Sequence, residues 1–301
     1  MTRNLYIAAL LTLCAVSLVL GQGVTQPVGS NGLVDWSSQM IRSTGIGSPN
    51  PNMPETAQRA GAIEAAKRVA LRNLLETVMG MNIDSETSVQ NYMVQNDVIN
   101  TKVRGAVRSF TVIDTKYMST GDVEVTVEMP ITGVIADALL PQQMGGAPIL
   151  GAVAVCPTCG QPWPAGRPLP AGVALTQGAA GAAQTAAGGA FTGLVIDAKG
   201  LGVRPAMAPK ILDENNQEVY GSKYVSRDWA VQIGMVGYDK DVMRAKSNDR
   251  VTNNPLVIKG LKVGGANKAD IIVSNADAAS IRNAAATQNF LDKCKVMFIV
   301  D

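Results

Sequence analysis

Apolar and polar positions change period several times along this chain, and each change marks an element. The first stretch has no period at all: Leu5–Leu20 is uncharged and apolar, preceded by Arg3 and followed by Gly21. Further on, Gly32–Trp36 opens a strand that runs toward Ile41–Gly47, where a Pro/Asn turn at residues 48–52 stops it. Pro54-Glu55 then starts a helix, and Ile63, Ala66, Ala70, Leu74 and Val78 recur at helical spacing through Met79, with Gly80 as the stop. Glu64/Arg68 and Arg72/Glu76 fall one turn apart on the opposite side. A shorter polar helix is expected near Ser85–Gln95.

Period two follows. Two strands, Ala106–Met118 and Asp122–Pro130, are joined by Ser119-Thr120-Gly121. In the second, Val123, Val125, Val127 and Met129 point inward and Glu124, Thr126 and Glu128 outward. A helix at Ile135–Leu140 closes the unit. Then the pattern disappears: residues 145–192 are mostly Gly, Ala and Pro with Arg167 as the only charge, too poor in large side chains to offset their chain entropy. This segment reads as a linker of high protease sensitivity between two stable fragments.

Beyond it, Leu194–Asp197 is a short strand, and Lys210-Ile211-Leu212 pairs with Glu218-Val219-Tyr220. One or two helices occupy Val225–Lys246, Leu256–Lys259 and Asp270–Val273 are strands, and Asn275 caps an Ala-rich helix reaching about Lys293. Val296–Val300 is a buried strand, and strand–helix–strand at this end implies a right-handed crossover in one mixed sheet. The fold class is α+β: a helix-on-antiparallel-sheet domain over 33–140, the linker over 145–192, and a second mixed α/β domain over 193–301.

Residues 1–21 are laid out as a cleavable secretory signal peptide, with Val19 and Gly21 at the −3 and −1 positions, so the chain is expected in the periplasm or at the outer membrane. Cys14 follows a loose lipobox echo, but Leu13 stands where lipoprotein cleavage wants a small residue. No later apolar stretch reaches eighteen residues, so no transmembrane span is expected after signal removal. With 26 Lys+Arg against 24 Asp+Glu there is no basic excess to favour nucleic acid.

The chain has no histidine, which removes a Ser-His-Asp triad and imidazole metal ligation. The sharpest local motif is Cys156-Pro157-Thr158-Cys159-Gly160. Three readings compete for it. Export favours a disulfide. Zinc at an oligomer interface needs further ligands, from Cys294 and a carboxylate or from a second chain. Redox chemistry needs a helix that Pro162, Pro164 and Gly166 forbid. Trp163, in the linker beside the cysteines, is a candidate partner-docking residue. Trp36 and Trp229 are read as core anchors, Gly200-Leu201-Gly202 as a loop, and Arg59, Lys67, Arg68 and Arg72 as a solvated helix face.

Several motifs of the first domain occur in a telling order: Val34-Asp35-Trp36, Ser43-Thr44-Gly45, the Ala/Arg-rich helix 57–79, Asp97-Val98-Ile99 through Val103-Arg104-Gly105, and Gly121-Asp122-Val123-Glu124-Val125. Together they resemble the LPP-type bacterial envelope lipoproteins and the N-terminal domain of flagellar assembly protein T. The resemblance covers about a third of the chain. It implies the α+β fold and a structural role in the cell envelope, through self-association or other envelope proteins, with no catalytic residues and no resident cofactor. The alternative is a metal- or ligand-binding secreted enzyme using Cys156 and Cys159.

Overall fold

The computed structural model describes residues 23–147 and 190–301. The leader with Cys14, most of the linker, Cys156, Cys159 and Trp163 lie outside the described residues. The architecture is α+β, a sheet-and-helix module followed by a mixed second one.

The first module is a five-stranded antiparallel sheet in the order β1-β2-β3-β5-β4. Its strands are β1 (Thr25–Val28), β2 (Gly32–Asp35), β3 (Met40–Gly47), β4 (Thr111–Tyr117) and β5 (Val123–Pro130). The strand expected from Gly32 onward is in fact a hairpin. The Asp35 carboxylate accepts from the amides of Ser37 (3.0 Å) and Ser38 (3.2 Å), and Gln39 takes φ 57°, which folds β3 back on β2.

Helix α1 (Glu55–Met79) lies on β3 and β5 and buries Ala62, Ala66, Ala70, Leu74 and Val78, close to the expected stripe. The small residues are there because backbones touch: a Cβ on Gly45 would stand 2.2 Å from the Ala70 amide, and one on Gly47 2.2 Å from the Ala62 carbonyl. Two buried polar groups lock this contact. Ser43 Oγ donates to the Ala70 carbonyl at 2.8 Å, and Asn73 Nδ2 donates to that of Thr44 at 2.6 Å. Gly80 ends α1 in right-handed geometry at φ −78°; the glycine makes room for Val28 and provides no left-handed cap.

The polar helix expected near Ser85–Gln95 forms, and a second helix follows it where the pattern marked no element before the strand expected from Ala106. Ser88 caps α2 (Val89–Gln95), and Asn96 caps α3 (Asp97–Ala106) by accepting from the amides of Val98 and Ile99. A 3₁₀ turn follows, and β4 begins only at Thr111. The β4–β5 hairpin has the expected alternation on β5, and α4 (Val134–Leu139) ends the module.

The second module contains two four-stranded sheets. One is wholly parallel, in the order β10-β6-β13-β9: β10 (Leu256–Lys259), β6 (Leu194–Asp197), β13 (Val296–Ile299) and β9 (Gly237–Asp239). The other is mixed, in the order β11-β12-β7-β8: β11 (Lys262–Gly264), β12 (Asp270–Ile272), β7 (Ile211–Leu212) and β8 (Glu218–Tyr220). Helices α5 (Arg227–Ile233) and α6 (Val242–Lys246) flank β9. Ser274, one residue before the expected cap, starts α7 (Asn275–Gln288), and left-handed Asn289 ends it. Since β12 and β13 belong to different sheets, α7 bridges two sheets, and the terminal crossover within one sheet is not formed. No helix among the described residues is long and apolar enough to cross a membrane.

Candidate functional site: the seam between the modules

Three groups of contacts join the modules. At the centre, the buried Trp36 indole meets Tyr238 edge-on at 5.6 Å, and Tyr238 meets Phe298 edge-on at 5.9 Å. Every polar atom of this stack is used. Trp36 Nε1 donates to Gln26 Oε1 at 3.0 Å, Ser37 Oγ donates to the Tyr238 carbonyl at 3.0 Å, and Tyr238 OH donates to the Ala206 carbonyl at 2.8 Å while accepting from the Ala206 amide. Burial pushes the Tyr238 hydroxyl well above its usual pKa, so it stays a neutral donor.

On one side of the stack, backbone pairs with backbone. The amides of Met207 and Ala208 donate to the carbonyls of Asn82 (3.1 Å) and Ile83 (2.6 Å), and that of Asn267 to Ser85 (2.7 Å). Ser85 Oγ donates to Asp270 Oδ2 at 2.6 Å, and the Lys210 amide to Asp270 Oδ1 at 2.8 Å. Burial nevertheless outweighs these bonds and raises the Asp270 carboxyl. On the other side, the Gly133 amide donates to the Val231 carbonyl at 2.7 Å, and Arg227 clamps Asp137 and the Pro141 carbonyl. The Gly145 amide, at the start of the linker, donates to Ser222.

A cavity of about 20 Å³ remains among Trp36, Gln39, Ile131, Ala136, Met207 and Met235. That is room for about one water, whereas sites for organic ligands run to roughly 300–1,000 Å³. Around this cavity the described side chains of the seam pack against one another.

The carboxyl ends of the parallel strands are the other usual place for a ligand. Asp197 and Asp239 end β6 and β9 in register with Ile299. Each acidic group there is held locally: Asp197 by the Lys199 amide, Asp301 by the Gly200 amide at 2.9 Å, and Asp239 by Arg244 Nε at 2.8 Å and the Asp241 amide. Burial disfavours the Asp239 charge, but the bonds from Arg244 and Asp241 prevail and hold its carboxyl below the usual range. Among the described residues, no three Asp, Glu or Cys side chains gather to hold a metal.

Of the residues singled out in the sequence, Trp36 is the anchor expected. Trp229 is not: it sits on the outer side of the short helix α5 and is 40% exposed. Gly200 and Gly202 form a left-handed loop. Arg59 has a partner that its helix periodicity did not reveal, lying 4.0 Å over the Tyr117 ring. Cys294 is a free, buried thiol pushed up to about 12 by burial. Beside it, Arg250 donates to the carbonyls of Gly234, Cys294 and Ile233, and Tyr220 OH to that of Met235. Sequence reasoning did not single out Tyr238, Arg250 or Asp270. Tyr238 sits in a three-residue strand, too short to display a period.

Residues 193–301 match the family model of the second domain of Treponema pallidum Tp0624. The chain matches no curated protein. The family match covers the second module alone, and this part of the chain is similar to that bacterial domain.

Proposed function

We propose that the protein is an exported component of the bacterial cell envelope that acts through binding and assembly, as a periplasmic or outer-membrane-associated structural or interaction protein. The leader-like residues 1–21 support the compartment, and the likeness of the second module to a domain of Treponema pallidum Tp0624 supports a bacterial source for the chain. The order of motifs from Val34-Asp35-Trp36 to Gly121–Val125, which resembles the LPP-type and flagellar assembly protein T families in sequence alone, is the basis for a role as a periplasmic assembly component.

The observation that carries the binding role is the filled seam. The Trp36–Tyr238–Phe298 stack occupies the cleft between modules and leaves space for about one water. Cell fractionation with N-terminal sequencing tests the compartment, with a chain beginning at Gln22 in the periplasmic or outer-membrane fraction as the expected result. An intact Met1 in the cytoplasm overturns it. Elemental analysis with sizing tests the role: stoichiometric zinc, lost together with oligomerisation in Cys156→Ser/Cys159→Ser, would replace the assembly reading with the metal-dependent alternative.

A further inference from the structure

Strand β4 is the outer edge of the five-stranded sheet, paired with β5 on one side and, among the described residues, with no strand on the other. It is exposed at every position except half-buried Thr115. Such an edge offers a row of main-chain donors and acceptors to another strand, and proteins protect edges of this kind with charges and bulges. Here both devices are present. Asp114 and Lys116 lie on the strand, and the register slips between Val112 and Asp114, where Ile113 is the extra residue.

The positions of the charges do more than repel. If two copies of β4 run antiparallel about a two-fold axis at Thr115, Asp114 falls opposite the partner's Lys116 and Lys116 opposite the partner's Asp114. Ile113, at the bulge, then comes up against the partner's Tyr117, the last residue of β4. The apolar members are exposed in the single chain, Ile113 at 48% and Tyr117 at 53%. Opposite charges, Thr–Thr and aromatic–β-branched pairs are the cross-strand combinations that stabilise antiparallel ladders, and like charges placed opposite destabilise them. A shift of one residue, with the axis at Asp114 or at Lys116, sets like charges opposite each other. The sequence of the edge therefore admits one self-register and penalises its neighbours.

Two further observations favour a second copy in this register. The Arg59 guanidinium lies 4.0 Å over the Tyr117 ring and holds it in place before any partner arrives, which lowers the entropy lost on contact. Lys116 Nζ is 3.1 Å from Glu124 and 3.7 Å from Asp114, so one lysine faces two carboxylates, and a second copy brings another lysine to the cluster.

We propose that the protein self-associates as a two-fold dimer through antiparallel pairing of β4 with the partner's β4 about Thr115. The ladder is short beside the roughly 1,200–2,000 Å² of stable interfaces, so the dimer is weak and concentration-dependent, with a Kd on the order of micromolar or above. The proposal stands on the edge strand alone. Loss of dimerisation leaves the envelope assignment intact, and a cytoplasmic location leaves the dimer intact.

A charge-swap experiment on the processed full-length chain, read by sedimentation velocity over a concentration series, tests it. The expected result is a monomer–dimer equilibrium in the unmodified protein. Asp114→Lys alone and Lys116→Asp alone each set like charges opposite and raise Kd about tenfold or more. An equimolar mixture of the two variants regains dimer, because both ion pairs re-form in the mixed species. Ile113→Ser, at an exposed site, weakens association without touching the charges and supplies a second readout if either charge variant folds poorly. A monomer at all accessible concentrations overturns the proposal. So does a dimer indifferent to all three substitutions, or a mixture that gains nothing over its components.

Discussion

Strands β5 and β13 both lie inside their sheets, yet β5 alternates buried positions with half-buried or exposed ones while β13 is buried at all four. The difference lies in what covers each sheet. In the first module α1 covers one face, and the other carries ion pairs such as Arg42–Glu128 and Lys116–Glu124. In the second the parallel sheet is covered on both faces at β13, and only the edge strand β10 exposes alternate positions, Val257 and Lys259. Leu194, Ile196, Val296 and Phe298 join the main core, while Val195, Met297 and Ile299 form a smaller cluster with Ala245 of α6 and Val251. The main core does not stop at the module boundary: Phe298, Tyr238, Trp36 and Leu74 belong to one contiguous cluster. Continuity in sequence is broken by the linker, and continuity in packing is not.

Removing the link between the regions should give the largest effect. Trp36→Ala deletes a buried aromatic from the seam and should destabilise the protein by roughly 3–5 kcal/mol. It should lower the stability of both modules together in chemical denaturation followed by tryptophan fluorescence and circular dichroism. Two transitions, with only the first shifted, would mean that the modules fold independently. For the same reason, cleavage between residues 148 and 189 should leave the two halves together on a sizing column.

Leu74→Ala probes the first module from within. Leu74 is fully buried under α1, and truncation should remove about 2–5 kcal/mol, the spread reflecting how far the cavity collapses. With Gly45 and Gly47 already at backbone contact with the helix, α1 has little room to settle, so the upper half of that range is expected.

The pH dependences of Asp239 and Asp270, both buried in the second module, should oppose each other. Asp239 sits below the 3.8 of an unperturbed carboxyl, so its stabilising contribution is present above that value and is lost as pH falls through its folded pKa. Asp270 sits above 3.8. Its contribution is greatest below that value and declines as pH rises through its folded pKa. Denaturation midpoints against pH should therefore lose acid sensitivity in Asp239→Asn. In Asp270→Asn the decline on the rising side of the carboxylate range should flatten. Matching profiles for the two variants would break the distinction.

What the sequence made legible follows the same division. Alternation on β5 and the stripe of α1 are local patterns, because each element has one wet side that records its period. Continuous apolar runs such as Val296–Ile299 also betray a strand, but their partners are set by tertiary contacts, and so the expected crossover with β12 is absent. Helix α3 was hidden by Val98, Ile99 and Val103, whose β-branched side chains suit a strand, and Asn96 was the overlooked cap. The seam was least legible. Tyr238, Asp270 and Ser85 lie in short or irregular segments, and only the folded chain brings Ser85 and Asp270, 185 residues apart, into a hydrogen bond.

The smallest expected effect sharpens the one-sided nature of α1. Arg68 lies less than two turns from Leu74 on the same helix, but its side chain is 79% exposed and its bond is to Glu64 Oε1, at 3.3 Å, itself 58% exposed. Such a pair gains little in water, because solvent screens the attraction and two long side chains lose rotamer freedom to hold it. Alanine keeps the helix, since its intrinsic propensity is the highest of the residues, and that gain offsets part of the lost pair. Arg68→Ala should therefore change stability by no more than about 0.5 kcal/mol, with the remaining contribution fading in high salt. Denaturation of Arg68→Ala beside Leu74→Ala is the measurement. A loss at Arg68 comparable to that at Leu74 would mean that the charged side of α1 is covered by something in solution, and that the first module has a second dry face after all.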